Sequence, residues 1–161
     1  MCGIVGYVGS RDCLPILIEG IKRLEYRGYD SAGVAIQTPD GMRVVKSAGK
    51  IRALETRLQN GAPRGTFGIA HTRWATHGEP NDTNAHPHTD EHATVALVHN
   101  GIIENHAELR ERQAANGYEF TSDTDTEVAV NLVHQYLEAG LDLLAAVQAA
   151  APELDGASPS A

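Results

Sequence analysis

The sequence predicts an α+β fold built on antiparallel strands. Three observations carry that expectation. The chain has 161 residues, which fits one domain of roughly 100–200 residues. Stretches of strand and helix character alternate along it. Most links between strand stretches are also too short for the helical crossover that parallel pairing needs, so antiparallel neighbours are favoured over a doubly wound sheet.

The elements follow in order. Gly3 to Gly9 (Gly-Ile-Val-Gly-Tyr-Val-Gly) reads as a buried strand whose glycines allow close backbone approach. Asp12 is placed to cap a helix carrying Leu14, Leu17, Ile18, Ile21 and Leu24 at helical spacing. Ala32–Gln37 and Met42–Ser47 are short extended runs around Pro39-Asp40-Gly41, which predicts a hairpin. Lys50–Leu58 predicts a short helix. Thr66–Arg73 and Thr94–His99 are strand candidates flanking a polar loop, Trp74–Ala93, and a loop of that length in a compact domain points to function. Glu104–Ala115 predicts a helix closed by Asn116-Gly117. Thr124 and Glu127 have capping-box spacing before a helix with Ala129, Leu132, Val133, Tyr136 and Leu137 on one face and Gly140 at its stop. Residues 2–156 are expected to form the domain and 157–161 a frayed tail.

Composition excludes several classes of function. Hydrophobic residues at 42% and charged residues at 21% describe a packed globular chain. A net charge of −8 disfavours nucleic acid as partner, and 5% aromatics offer few surfaces for stacking bases. No apolar stretch approaches the roughly 20 residues that cross a bilayer, so no membrane partner is expected. Two cysteines make no disulfide framework, and Met1-Cys2-Gly3-Ile4-Val5 lacks a signal peptide's basic region and apolar core. A cytoplasmic location is expected, where Cys2 stays a free thiol.

Cys2 is the most informative position. A small residue after the initiator permits removal of Met1, which puts a thiol and a free α-amine on one residue. An amine with an ordinary pKa of about 7.7–8.0 can take a proton from a thiol near 8.5, so the residue carries its own base. Gly3 adds room for substrate. Cys13, at the start of an amphipathic helix, reads as packing. Seven of the eight histidines lie between His71 and His106. No CxxC or HExxH accompanies them, so pocket hydrogen bonds and loop ordering are favoured and no metal site is expected. Arg73, at a strand end, can grip a carboxylate with its fork, with Trp74 as cover. Asn100-Gly101 is either a turn or a pair of oxyanion donors, one a side-chain amide and one an unhindered N–H. Asp123 and Asp125 precede a helix, where acids cap favourably; one of them could instead hold an ammonium group.

The joint order of these segments is more specific than any one of them. Cys2-Gly-Ile-Val-Gly6, Leu24-Glu-Tyr-Arg-Gly-Tyr-Asp-Ser-Ala-Gly33, His71-Thr-Arg-Trp-Ala-Thr-His-Gly78, Asn84-Ala-His-Pro-His88, His99-Asn-Gly-Ile-Ile-Glu-Asn105 and Ser122-Asp-Thr-Asp-Thr-Glu127 occur in succession. This pattern closely resembles the amino-terminal glutaminase domain of the glutamine–fructose-6-phosphate aminotransferase family, from Cys2 to about Gly156. Phosphoribosyl-pyrophosphate amidotransferases and asparagine synthetases share the leading Cys-Gly-Ile but not the Glu25-Tyr26-Arg27-Gly28-Tyr29 and Arg73-Trp74-Ala75-Thr76-His77 forms.

The resemblance implies an amino-terminal-nucleophile (Ntn) hydrolase fold, a four-layer α/β/β/α antiparallel sandwich, here incomplete on its C-terminal side. It implies L-glutamine as substrate, cleaved to glutamate and ammonia through a Cys2 thioester without metal or organic cofactor. The Arg27 carbonyl would orient the α-amine, and Asn100 and Gly101 would hold the oxyanion. Arg73 would grip the α-carboxylate and Asp125 the α-ammonium. Thr76 and His77 would complete the pocket, Trp74 would cover it, and His86 would order the loop. Sugar isomerase domains that accept the ammonia, and pairing of two copies through the full-length enzyme, are the implied partners. The rival expectations are a non-catalytic remnant that binds glutamine or a synthase partner, and a histidine-rich metal module.

Overall fold

The computed structural model describes residues 2–75 and 78–156. Two residues expected in the pocket, Thr76 and His77, and the tail 157–161 lie outside the described residues. The chain divides into two compact units, Met1–Pro87 and His88–Ala161.

The first unit contains β1 (Gly3–Val8), α1 (Cys13–Lys22), a 3₁₀ turn (Glu25–Arg27), β2 (Ser31–Thr38), β3 (Gly41–Ala48), α2 (Ile51–Leu58) and β4 (Phe67–Arg73). The strands form one sheet in the order β1-β4-β2-β3, antiparallel at every pairing. The β2–β3 hairpin closes through Pro39-Asp40, with Thr38 opposite Gly41 at φ 114°. Proline presets the turn, and glycine takes a backbone angle that side chains resist. Asp12 caps α1 by accepting the Leu14 N–H. Leu14, Leu17, Ile18 and Ile21 of α1 and Ile51, Leu54 and Leu58 of α2 bury against Ala32, Val34, Ile36 and Ala70 of the sheet. Each large side chain so buried contributes about 1.5–3 kcal/mol.

β1 is only half-buried, where the sequence predicts a buried strand. It is the outer strand next to β4, and its side chains alternate: Val5 and Tyr7 pack on the core, while Ile4 and Val8 face outward. Period-two geometry forces that division once only one face meets the helices.

The second unit contains β5 (His88–Thr89), β6 (Ala96–Leu97), α3 (His106–Ala115), α4 (Asp125–Glu138), α5 (Leu143–Ala150) and a 3₁₀ turn (Ala151–Glu153). The strand expected over 94–99 shrinks to two residues, paired antiparallel with β5. The cause is Asp90. Its buried carboxylate accepts the N–H groups of His92 (3.1 Å) and Val95 (2.8 Å) and the Thr94 hydroxyl (2.8 Å), and so uses a donor that a longer strand would offer to a neighbour. β5 also interrupts the expected loop 74–93. α3 starts at His106 rather than Glu104: the Ile103 carbonyl, which a helix from Glu104 would use, instead accepts the His106 N–H at 3.3 Å with His106 Nδ1 2.8 Å away, while the Leu109 N–H donates to the Asn105 carbonyl.

The capping box expected at α4 forms differently. Thr124 occupies the N-cap position but caps nothing with its side chain. Its hydroxyl meets Ser122 Oγ and His88 Nε2 instead. Glu127 reaches back to the N–H and hydroxyl groups of both Thr121 and Ser122. Every residue from Asp125 to His134 is buried, so α4 is enclosed rather than one-faced. Val130, Leu132 and Val133 pack with Val95, Ala146 and Ala150, while Val128 and Ala129 pack with Ile103 and Leu109. Gly140, at φ 91°, ends the helix: its N–H donates to the Leu137 carbonyl and the Leu141 N–H to the Tyr136 carbonyl.

Candidate active site

Cys2 stands one residue before the first β1 pair, Gly3 opposite Thr72. That register brings its sulfur to the main chain just past the end of β4. The Trp74 N–H donates to Sγ at 3.2 Å, and the thiol donates to the Trp74 carbonyl at 3.7 Å. Cys2 is half-buried, so the sulfur is both held and reachable. Gly3 also serves the packing of its own unit. A Cβ there would lie 2.6 Å from Leu24 Cδ1 and 3.0 Å from Thr72 Oγ1, so its missing side chain makes room for the unit's own packing. Cys13, the other thiol, is fully buried; burial first, and the Asp12 charge next, push it above its ordinary pKa, as suits a packing residue.

Arg73 ends β4 at 4% exposure, and its Nη2 donates to the Gly78 carbonyl at 3.5 Å. Trp74 is 54% exposed, and a Cβ on Gly28 (φ 76°) would sit 3.2 Å from its ring. Glycine at 28 therefore serves both the backbone turn after Arg27 and the seat of the indole. The strand end is fixed by Asp30, a residue of the Leu24–Gly33 motif to which the sequence assigns no role. Its N–H donates to the Arg73 carbonyl at 2.8 Å, and its Oδ2 accepts the Ala75 N–H at 2.6 Å. Nothing in local periodicity marks such a contact across 45 residues.

His86 is buried and stacks on His71 at 4.3 Å between ring centroids. Its carbonyl lies against Gly33 so closely that no Cβ could be accommodated there. The segment 78–87 thus lies on the sheet of its own unit.

In the second unit Asn100 and Gly101 are exposed, and a Cβ on Gly101 would lie 2.8 Å from the His99 ring. Asp125 is buried at the start of α4. Its Oδ2 accepts the Ile103 N–H at 2.8 Å, which ties the end of the 99–103 segment to the helix. Ionised carboxylates offer about four acceptor positions, so this bond leaves Asp125 capacity for another donor. Burial alone would raise the Asp90 pKa, but the Val95 N–H, the Thr94 hydroxyl, the His92 N–H and nearby His134 outweigh it and hold the carboxyl below its usual range. Among the described residues, no three histidine, cysteine or acidic side chains are grouped to hold a metal ion. No described helix is long and apolar enough to cross a membrane.

Comparison with known proteins bears directly on these segments. The family model described as "Glutamine amidotransferase domain" matches residues 56–151. This chain belongs to the glutamine amidotransferase domain family. The amidotransferase domain is similar to the glutamine–fructose-6-phosphate aminotransferase (isomerizing) of Legionella pneumophila strain Paris, 55% identical over 158 residues. It is also similar to the protein of that name from Thermus thermophilus, 52% identical over 157 residues. In both cases 98% of this chain and 26% of the relative are covered, so the chain spans about a quarter of the length of these relatives. Among solved structures, the glutamine phosphoribosylpyrophosphate amidotransferase from B. subtilis superposes with a TM-score of 0.78 at 25% identity, over 97% of this chain and 33% of that one. A structure titled as the allosteric regulatory enzyme of purine biosynthesis gives 0.81 at 24% identity, over 97% and 34%, and shows the fold alone. The amidotransferase domain thus has the α+β, Ntn-type fold that its motifs implied.

Proposed function

We propose that the chain hydrolyses L-glutamine to glutamate and ammonia, as the amidotransferase half of an enzyme that passes the ammonia to fructose 6-phosphate. The observation that carries the reading is the Cys2 thiol, half-buried and held by the Trp74 N–H at 3.2 Å at the end of the strand pair that also carries Arg73. With Met1 removed, the Cys2 α-amine takes the thiol proton as sulfur attacks the side-chain amide carbon, and the Arg27 carbonyl orients that amine. The Asn100 side-chain amide and the Gly101 N–H receive the oxyanion; losing one such donor typically costs about 10²–10³ in rate. The amine returns its proton to the departing nitrogen, ammonia leaves and a thioester remains. Water then attacks the thioester carbon, glutamate departs and the thiol is restored.

Arg73 holds the substrate carboxylate and Asp125 the ammonium, a matched pair for a zwitterion. Thr76 and His77 complete the pocket, Trp74 helps cover it and His86 helps order the loop. Sugar isomerase domains accept the ammonia, and two copies pair through the full-length enzyme in the cytoplasm.

The test is glutamine-dependent ammonia release by wild type and Cys2→Ala, after mass spectrometry establishes loss of Met1. Release by wild type and none by Cys2→Ala is the expected result. Equal release from both, or full activity with Met1 retained, removes the reading. Binding of glutamine without turnover by wild type supports a non-catalytic binder instead.

A further inference from the structure

We infer that Asp82 is a positioning residue for Arg73: it latches segment 78–87 to the outer strand of the sheet, and the segment in turn holds the guanidinium. The inference rests on the reading that Arg73 grips the substrate's α-carboxylate.

The segment is stitched into one piece. The Asn84 amide donates to the Glu79 carbonyl at 3.0 Å, the Asn84 N–H to Asn81 Oδ1 at 2.7 Å and the Ala85 N–H to the Asn81 carbonyl at 3.1 Å. Its leading residue, Gly78, offers Arg73 Nη2 a carbonyl. The Asp82 carboxylate adds a tie from the piece to the edge of the sheet. Asp82 Oδ1 accepts the Ala48 N–H at 2.7 Å, and Oδ2 accepts Arg57 Nη2 at 2.6 Å. Ala48 belongs to β3, the outer strand, so Asp82 takes a donor from the sheet's edge. Arg57 is braced in turn: its Nη1 donates to the Lys46 carbonyl at 2.7 Å, while Lys46 Nζ donates to the Thr83 carbonyl at 2.9 Å. An exposed ion pair alone contributes little. Here a strand N–H, a braced guanidinium and a lysine converge on two consecutive residues. The Ala48 N–H first, and Arg57 next, hold the Asp82 carboxyl below its ordinary range, so the latch is charged at neutral pH.

Releasing the latch weakens a contact made equally in the bound and reacting states, so it raises KM and spares kcat. Ammonia release should therefore be measured for wild type, Asp82→Ala and Asp82→Asn, and for Arg73→Ala with and without Asp82→Ala, all checked for cooperative unfolding. Asp82→Ala should raise the glutamine KM about fivefold with kcat within about twofold. Asp82→Asn should fall between, since it keeps an acceptor for the Ala48 N–H and loses the charge. On the Arg73→Ala background, Asp82→Ala should change KM less than about 1.5-fold, the mark of action through Arg73. An equal effect on both backgrounds, or a fall in kcat at constant KM, overturns the inference.

L-glutamate binding to the same Asp82 and Arg73 variants, each carrying Cys2→Ala, gives a readout without turnover. If no ammonia is released but binding still falls with Asp82→Ala only when Arg73 is present, positioning stands and hydrolysis fails. If ammonia is released and Asp82→Ala leaves KM unchanged, positioning fails and hydrolysis stands. If wild type neither releases ammonia nor binds glutamate, both fail.

Discussion

The two units hold their functional segments by different means. In the first, Cys2 and Arg73 sit at the ends of paired strands, β1 and β4, and their positions follow from backbone register. In the second, the named strands are two residues long, and buried carboxylates do the positioning. Asp90 folds the 90–95 turn, Asp125 ties down Ile103, and Glu127 gathers the Thr121 and Ser122 main chain. Register resists changes of side chain but not of backbone space. Carboxylate anchors show the opposite sensitivity, because removing one leaves several buried donors without an acceptor.

The sharpest way to break the first arrangement is Gly33→Val. The new side chain would collide with the His86 carbonyl within the central strand, and a loss of about 4 kcal/mol or more, or failure to fold, is expected in urea denaturation. Next is Glu127→Ala in the second unit. It strips two N–H groups and two hydroxyls of their acceptor, and a loss of about 3 kcal/mol is expected by the same measurement.

Asp90→Asn should cost about 2 kcal/mol and also flatten the acid limb of stability. A carboxyl whose folded pKa lies below its unfolded value stabilises the fold above the unfolded value, and that contribution disappears as pH falls through the folded one. Wild type should therefore lose stability across and below the ordinary carboxylate range, and Asp90→Asn less so, as read by thermal unfolding from about pH 7 to about pH 3. The smallest effect belongs to Lys22→Ala. Its pair with Glu55 in the first unit is solvent-exposed, and less than about 0.5 kcal/mol should be lost. A larger loss would place side-chain charges among that unit's main supports and blur the contrast.

The same contrast explains what can be read from the sequence. The β2–β3 hairpin, α1 with its Asp12 cap, α2 and the Gly140 stop all leave local marks: alternation, helical spacing, Pro-Asp-Gly, a capping acid. Cys2, Arg73 and Asn100 stand out because their chemistry is rare at a chain start or strand end. Asp30, Asp82 and Asp90 do not. Each accepts a main-chain N–H in a non-repetitive turn or far along the chain, and such a contact imposes no period on the residues around it. The shortened strand near Val95 escapes a reading of the sequence for that reason: its apolar pattern is genuine, but a carboxylate five residues earlier takes its N–H. The capping box misleads in a similar way, with the right residues near the right helix end but different partners.

The β1–β4 pairing has a consequence for any redesign of the first unit. Because the sulfur's place is counted off along that ladder, β1 acts as a ruler with a graduation of about 3.3 Å per residue. Deleting one residue between Gly3 and Val8 would draw the thiol past its mark and turn it to the sheet's opposite side. Changes in strand length would therefore relocate the Cys2 sulfur even if every side chain near it were preserved.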